Sequence, residues 1–455
     1  MYFLYSVLTA AGVILLSPYF LVQGLRRGKY LHSLRERLGF LPPEVASSAA
    51  QDTGAIWIHA VSVGEALAAL PLAQALKQRF PDRRLVVSTT TATGQRVARE
   101  RMNMANAVFY FPLDWAGPVR RVFGAVNPAL VVILETEIWP NFLREAARHG
   151  VPVIFVSGRI SDRSFERYKK WLGVFGFFLR PFLRQTLSSV TAFLMQSEKD
   201  AERIRTLGAP ADRVRVSGNL KYDLDLPAST PLANWLEREA RRRGRGPVIV
   251  AGSIVAGEEP LALIAFGTLQ GEHPHALLVL APRKPERFDA AAEFIDESHR
   301  KYIRRSQLRI PTAATVNSQN GEPSIADDVT VLLLDSIGEL ASLYRLADGA
   351  LVGGSLVPSG GHNILEPAAF GKIPVFGPHM ENFSDIAKNF VGAGAAIQVE
   401  SPEDAGVAWI ELLRNPQRMH KMGETALAII EKNRGATDRA VSEIAKHMPA
   451  AGSGA

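Results

Sequence analysis

The chain has no cysteine among its 455 residues. That excludes a disulfide framework, thiolate zinc sites, iron–sulfur clusters and thiol catalysis. Its charge imbalance is slight: 52 Lys and Arg against 45 Asp and Glu leave +7. So small a surplus does not point to nucleic acid, and none is expected as a partner; it fits an anionic substrate or an anionic lipid surface. No two of the ten His stand at i, i+4 or in HExxH, so neither a metal nor another cofactor is expected. The Lys-Ser/Thr ending of a nucleotide-triphosphatase loop is missing, as is an early GxGxxG followed by an acid. Both absences argue against those nucleotide-binding classes.

Charge is also missing from Met1 to Leu25, a mostly apolar run with aromatics at both ends. As a helix it would be roughly 37 Å long, enough to span a bilayer with some tilt. Arg26, Arg27, Lys29, Arg35 and Arg37 come directly after it. This pattern predicts a membrane anchor over 1–25 that keeps the rest of the chain on the cytoplasmic side. Pro18 leaves an interfacial helix open as a reading, and a buried N-terminal helix is the third.

Beyond residue 50, short Val/Ile/Leu-rich runs alternate with amphipathic stretches. The runs fall at 56–61, 85–89, 108–111, 130–135, 153–156 and 191–196, and again at 248–252, 276–281, 329–334, 349–353, 373–376 and 395–398. The pattern predicts two α/β domains with parallel, doubly wound sheets facing a cleft. The expected division is an anchor over 1–25, a first domain over 26–225, a linker over 226–246, a second domain over 247–447 and a disordered tail over 448–455. Ligands of such sheets bind beyond the carboxyl ends of the strands, and the polar motifs stand there.

Ser62-Val63-Gly64-Glu65 ends a strand and opens a helix, with Gly64 expected to let the backbone turn closely. Glu65 is either a general base or a first-turn acid that suits the helix dipole. Glu135 and Glu137 come after a very apolar run; in a strand two acids spaced by one residue face opposite ways, so one of them is expected to be structural. Gly218-Asn219-Leu220-Lys221 places a Lys for a phosphate or a leaving group, or leaves it in solvent. The Asp223-Leu224-Asp225 triplet has the form of a metal-binding DxD but is read as chance. In the second half, Ala281-Pro282-Arg283, Ser336-Ile337-Gly338-Glu339, Gly353-Gly354-Ser355 and Gly360-Gly361-His362-Asn363-Ile364-Leu365-Glu366 each end a strand or open a helix. The last of these is a glycine-rich loop running into a helix start; it suggests free backbone N–H groups for an anion, and Glu366 a partner for two ribose hydroxyls.

HAVSVGEALAALPL, ETEIWPNF, GNLKYD, APRKPERF, GELASLYRLADGALVGGSL and GGHNILEPAAFGK together resemble the 3-deoxy-D-manno-octulosonic acid (Kdo) transferases of lipopolysaccharide synthesis. The resemblance spans nearly the whole chain. It implies a membrane-anchored inverting glycosyltransferase of the GT-B architecture, two Rossmann-like domains, moving Kdo from CMP-Kdo to a lipid A precursor among inner-membrane lipids. It implies Glu65 as general base, with Glu135 and Lys221 assisting the transition state. It assigns CMP to Pro282, Arg283, Ile337, Gly338, Glu339, Asn363, Ile364, Leu365 and Glu366. Departures stand at Gly252–Glu259, GSIVAGEE for a common GSTHEGEE, at Lys284 for His, and at Ile364 for Pro. A transferase of another nucleotide sugar and a non-catalytic membrane-anchored sugar- or lipid-binding protein are the competing readings.

The segment Ser164–Leu187 interleaves seven aromatics with Lys169, Lys170, Arg180 and other cations. It is read as a face that docks the lipid acceptor and the membrane, or as a core helix with a solvated charged side.

Overall fold

The computed structural model describes residues 1–27, 31–46, 54–224, 229–310 and 323–449. The chain forms two compact units, 1–223 with 433–455, and 224–432.

The first unit holds seven parallel strands: β1 (Ala55–Ala60), β2 (Leu85–Thr89), β3 (Ala107–Tyr110), β4 (Pro128–Leu134), β5 (Val153–Gly158), β6 (Ala192–Met195) and β7 (Val214–Val216). Their order is β3-β2-β1-β4-β5-β6-β7, so the winding reverses between β1 and β4. Helices cover both faces, and the strands are accordingly apolar throughout. Alternation sorts the side chains: Ala55 and Trp57 of β1 enter one core with Phe109, Phe142, Phe155 and Phe193. Ile56, Ile58 and Ala60 enter the other with Val87, Val132 and Val156. That second core is completed by Ala436, Ala440 and Ile444 of the C-terminal helix Ala436–His447.

The second unit repeats the scheme with β8 (Val248–Ile254), β9 (Leu277–Pro282), β10 (Lys301–Arg304), β11 (Val329–Leu333), β12 (Gly349–Val352), β13 (Pro374–Phe376) and β14 (Ile397–Gln398). The order is β10-β11-β9-β8-β12-β13-β14, all parallel, with the reversal between β8 and β12. Much of the polar stretch before β8 is a helix, Pro231–Arg243, capped by Thr230 and ended by Gly244 at φ +59. It buries Leu232, Trp235 and Leu236 in the second unit. Its basic run binds protein groups: Arg242 and Arg243 meet Glu239, and Arg243 also meets Asp327.

The expected membrane anchor is overturned. Among the described residues no helix is long and apolar enough to cross a membrane. The inner-membrane placement that rested on it falls too. In the N-terminal helix Tyr2–Arg27, the polar groups of Tyr2, Tyr5, Ser6 and Thr9 dock on the first unit. The Tyr2 ring lies against Phe182, under the Arg144 guanidinium. Tyr5 donates to Asp114, Asn141 Nδ2 to Ser6 Oγ at 3.0 Å, and Trp115 Nε1 to Thr9 Oγ1 at 3.2 Å. A helix in lipid would leave these groups without partners. The basic flank at Arg26, Arg27 and Lys29, the center of the 307–327 loop and residues 450–455 of the expected tail lie outside the described residues or side chains.

Candidate active site

The strand ends of the first unit converge at the reversal of winding. After β1, Ser62 caps the short helix Val63–Ala68: its Oγ accepts from Glu65 N and donates to Glu65 Oε1 at 2.9 Å. Val61 N donates to Glu65 Oε2 at 2.7 Å. The structure shows Glu65 as a first-turn acid whose carboxylate, only 8% exposed, is fixed by the capping geometry. Burial, then the charge of Glu135, pushes the Glu65 carboxyl up to about 7 against the opposing Val61, Ser62 and Lys221. Gly64 has an ordinary φ and room for a Cβ, so the close turn expected of it is not there. The close approach is at Gly94, where a Cβ would come within 2.8 Å of Thr91 Oγ1.

Strand β4 ends at Leu134, and Glu135 takes a left-handed conformation at φ +56. The alternation argument that made one of the two acids structural therefore fails. Glu135 Oε1 lies 3.6 Å from Lys221 Nζ. Glu137 stands close enough to Glu65 and Glu135 to feel both charges, and with burial first they push it up to about 7. Lys221 sits in the turn Leu220–Tyr222 after β7. Asn219 Oδ1 accepts from Lys221 N at 2.9 Å, and Asn219 Nδ2 donates to Gln196 Oε1 at 3.0 Å. Leu220 N donates to Ser157 Oγ at the end of β5. Asp223 is structural: its carboxylate accepts from Gly435 N and Thr437 N at the start of the C-terminal helix. The structure thus brings Glu65, Glu135 and Lys221 together and adds Glu137.

In the second unit, Arg283 comes just after β9, its N–H donating to Ile254 O at 2.7 Å. Arg283 faces His362 and Glu366. Burial pushes the Glu366 carboxyl up to about 7, with Arg283 and an Asn363 hydrogen bond opposing. Burial, then Arg283, pushes His362 down to about 4, and its Nε2 is enclosed without a hydrogen-bond partner among the described residues. Glu339 is paired with Arg305 at 3.0 Å and accepts from Ser336 Oγ at 2.5 Å. Ile337 is exposed beside Gly338 at φ +95. Ile364 and Leu365 are fully buried, which leaves only their backbone for a ligand.

In the glycine-rich loop expected to offer N–H groups to an anion, Gly361 N and His362 N donate to Gly354 O at 2.7 Å and Gly353 O at 3.1 Å. Beside it, the carboxylate of Glu258, 1% exposed, accepts from Val255, Gly354, Ser355 and Leu356 N–H groups at 2.5–3.1 Å. Those N–H groups are therefore not available to a phosphate. The clue in the sequence was a Glu-Glu pair one turn beyond β8. Its neighbor Glu259 pairs with Arg287 at 2.7 Å. Among the described residues no group of three or more His, Asp or Glu is arranged to hold a metal ion.

Residues 32–224 match the family model described as 3-Deoxy-D-manno-octulosonic-acid transferase (kdotransferase). The 3-deoxy-D-manno-octulosonic acid transferase of Haemophilus influenzae is 33% identical over 417 residues, 90% of each chain. That of Bordetella pertussis is 35% identical over 402 residues, 86% of each. In fold alone the chain is similar to the glycotransferase of kitacinnamycin, with a TM-score of 0.53, 16% identity and coverage of 87% of this chain and 99% of that one.

Proposed function

From the premise that the chain belongs to the 3-deoxy-D-manno-octulosonic acid (Kdo) transferase family, we propose how its two sites divide the reaction. The chain is a glycosyltransferase that moves Kdo from CMP-Kdo to a lipid A precursor in lipopolysaccharide synthesis. The first unit supplies the base. Glu65 takes the proton of the acceptor hydroxyl while that oxygen bonds to the anomeric carbon. The carbon–phosphate oxygen bond breaks on the opposite face, and CMP leaves with the electron pair. Lys221, held by Asn219 and paired with Glu135, is placed to stabilise charge that develops only in the transition state. The second unit holds CMP, with Pro282, Arg283, Ile337, Gly338, Glu339 and the segment Asn363–Glu366 around it. The observation that carries this reading is the cluster of Glu65, Glu135 and Lys221 at the carboxyl ends of parallel strands.

The test is incubation of the chain with CMP-Kdo and a tetraacyl lipid A precursor, then mass analysis of the product. Addition of Kdo to the acceptor is the expected result, and an unchanged acceptor would overturn the reading. Turnover is expected to survive exhaustive EDTA, because CMP leaves with a single phosphate. A loss restored by Mg²⁺ would contradict this.

The lipid acceptor is proposed to dock on the helix Asp162–Leu187. Its inner side joins the core through Leu172, Leu183 and Leu187, while Trp171, Phe175, Phe177 and Phe178 are exposed. Lys169, Lys170 and Arg180 are exposed among them. The core and docking readings thus apply to opposite sides of one helix. Changing all three cations to Glu is expected to raise the acceptor KM and weaken binding to anionic vesicles, at about 1 kcal/mol per charge. Unchanged values for both would remove the docking role.

A further inference from the structure

The strand ends around Glu65 gather three carboxylates. Glu137 feels the charges of Glu65 and Glu135, Glu65 feels that of Glu135, and Lys221 is paired with Glu135 and favors the Glu65 anion. The other titratable groups there are Tyr168 of the helix 162–187, which feels Glu137, and Arg167 beside it. Arg159 at the end of β5 donates its backbone N–H to Thr136 Oγ1, between the two acids. The three carboxylates are not equivalent. Glu135 has its ion pair with Lys221. Glu65 has two donors, Val61 N–H and the Ser62 hydroxyl, which favor its anion. Glu137 accepts no hydrogen bond from any described residue.

The substrate sharpens this imbalance. The transferred sugar is a ketose acid, with a carboxylate on the carbon that is attacked. That carboxylate must come close to the base. With every Glu ionised, three negative charges would stand together before the substrate added its own. Like charges so close do not all ionise, and the proton stays where the anion is least supported. That place is Glu137.

We propose that Glu137 works as a neutral carboxylic acid and donates its O–H to the carboxylate of the donor sugar, while Glu65 stays ionised as the base. This rests on the transferase reading above. No bond to Glu137 forms or breaks: the acceptor's proton goes to Glu65. Glu137 therefore selects a sugar acid and discriminates against a neutral sugar.

The test uses the full chain with CMP-Kdo and a tetraacyl lipid A precursor between pH 5.5 and 9. In the wild type, the donor KM should rise about tenfold per pH unit once Glu137 ionises. Glu137→Gln keeps a neutral N–H donor that does not titrate, so its donor KM should show no alkaline rise. A loss of a hundredfold or more at every pH would mean that an ionised oxygen is needed there, and would overturn the proposal. So would a Glu137→Gln variant that retains the alkaline rise. Calorimetry of CMP-Kdo binding at pH 8 in buffers of different ionisation enthalpy gives a second readout. Proton uptake is expected for the wild type and not for Glu137→Gln, and equal uptake by both would also overturn it. A wild type that moves no Kdo at any pH would instead sink the transferase reading itself, and the proposal with it.

Discussion

Glu65 is asked to be ionised in a place that disfavors the ion. Its carboxyl is raised to about 7, so the fold is favored by the protonated form. That contribution is fully present below the ordinary carboxylate range and is lost as pH rises through about 7. Function needs the opposite form, so turnover should fall as pH drops below about 7. Glu65→Gln keeps an acceptor for Val61 N–H but removes the base. We expect kcat to fall on the order of a hundredfold with donor binding intact. Near-normal turnover in that variant would contradict the assignment. Lys221→Ala should lower kcat more than it raises the acceptor KM, because leaving-group charge develops only in the transition state. A raised KM with kcat unchanged would count against this. At this scale the meeting of Glu65, Glu135 and Lys221 was legible from motifs that end strands. Glu137 was not, because the alternation rule needs a strand and the chain has left β4 before Glu135. Glu258 was missed because a carboxylate gathering four N–H groups is a property of the folded loop.

At the scale of elements, the strands were readable because a sheet covered on both faces needs unbroken apolar runs. β7 and β10 are the exceptions: Val214–Val216 is only three residues long with Arg215 at its center, Lys301–Arg304 has charge at both ends, both are edge strands, and no such run marks either. The N-terminal helix shows the limit of reading hydropathy. Its apolar composition suits lipid, but Tyr2, Tyr5, Ser6 and Thr9 lie on one side and are matched by groups far along the chain. Asp114 is the center of that match: it accepts from Asn141 N and Phe142 N at 2.8–3.1 Å, and from Tyr5. Asp114→Ala leaves these donors without a partner, at about 1–3 kcal/mol each where buried. We expect a lower Tm and faster proteolysis within residues 2–27; an unchanged cleavage rate would mean that other contacts dock the helix. Glu258→Ala should act on the other unit, lowering Tm and raising the donor KM as Gly354–Leu356 lose their anchor. An unchanged donor KM would show that this loop does not shape the donor site.

At the scale of the whole molecule, the two sheets repeat one plan, and the chain then returns to the first. The amphipathic pattern of 436–447 shows that a helix forms, but not which sheet it covers. The structure answers with Asp223, which caps the helix, and with Ala436, Ala440 and Ile444, which complete a core of the first unit. Leu220, next to Lys221, lies in that same core. The last helix therefore supports the turn that presents Lys221, so its loss should reach both stability and turnover. Ile444→Ala should destabilise the first unit by about 2–5 kcal/mol, the usual range for a buried Ile truncated to Ala. Deleting 433–455 should cost more. Hydrogen exchange can localise the effect: amides of β1, β4 and β5 should exchange faster, while those of β8, β9 and β12 keep their wild-type protection. Turnover should fall as the Leu220–Tyr222 turn loosens. Equal loss of protection in both sheets, or full turnover without the helix, would show that its role is not confined to the first unit and its lysine.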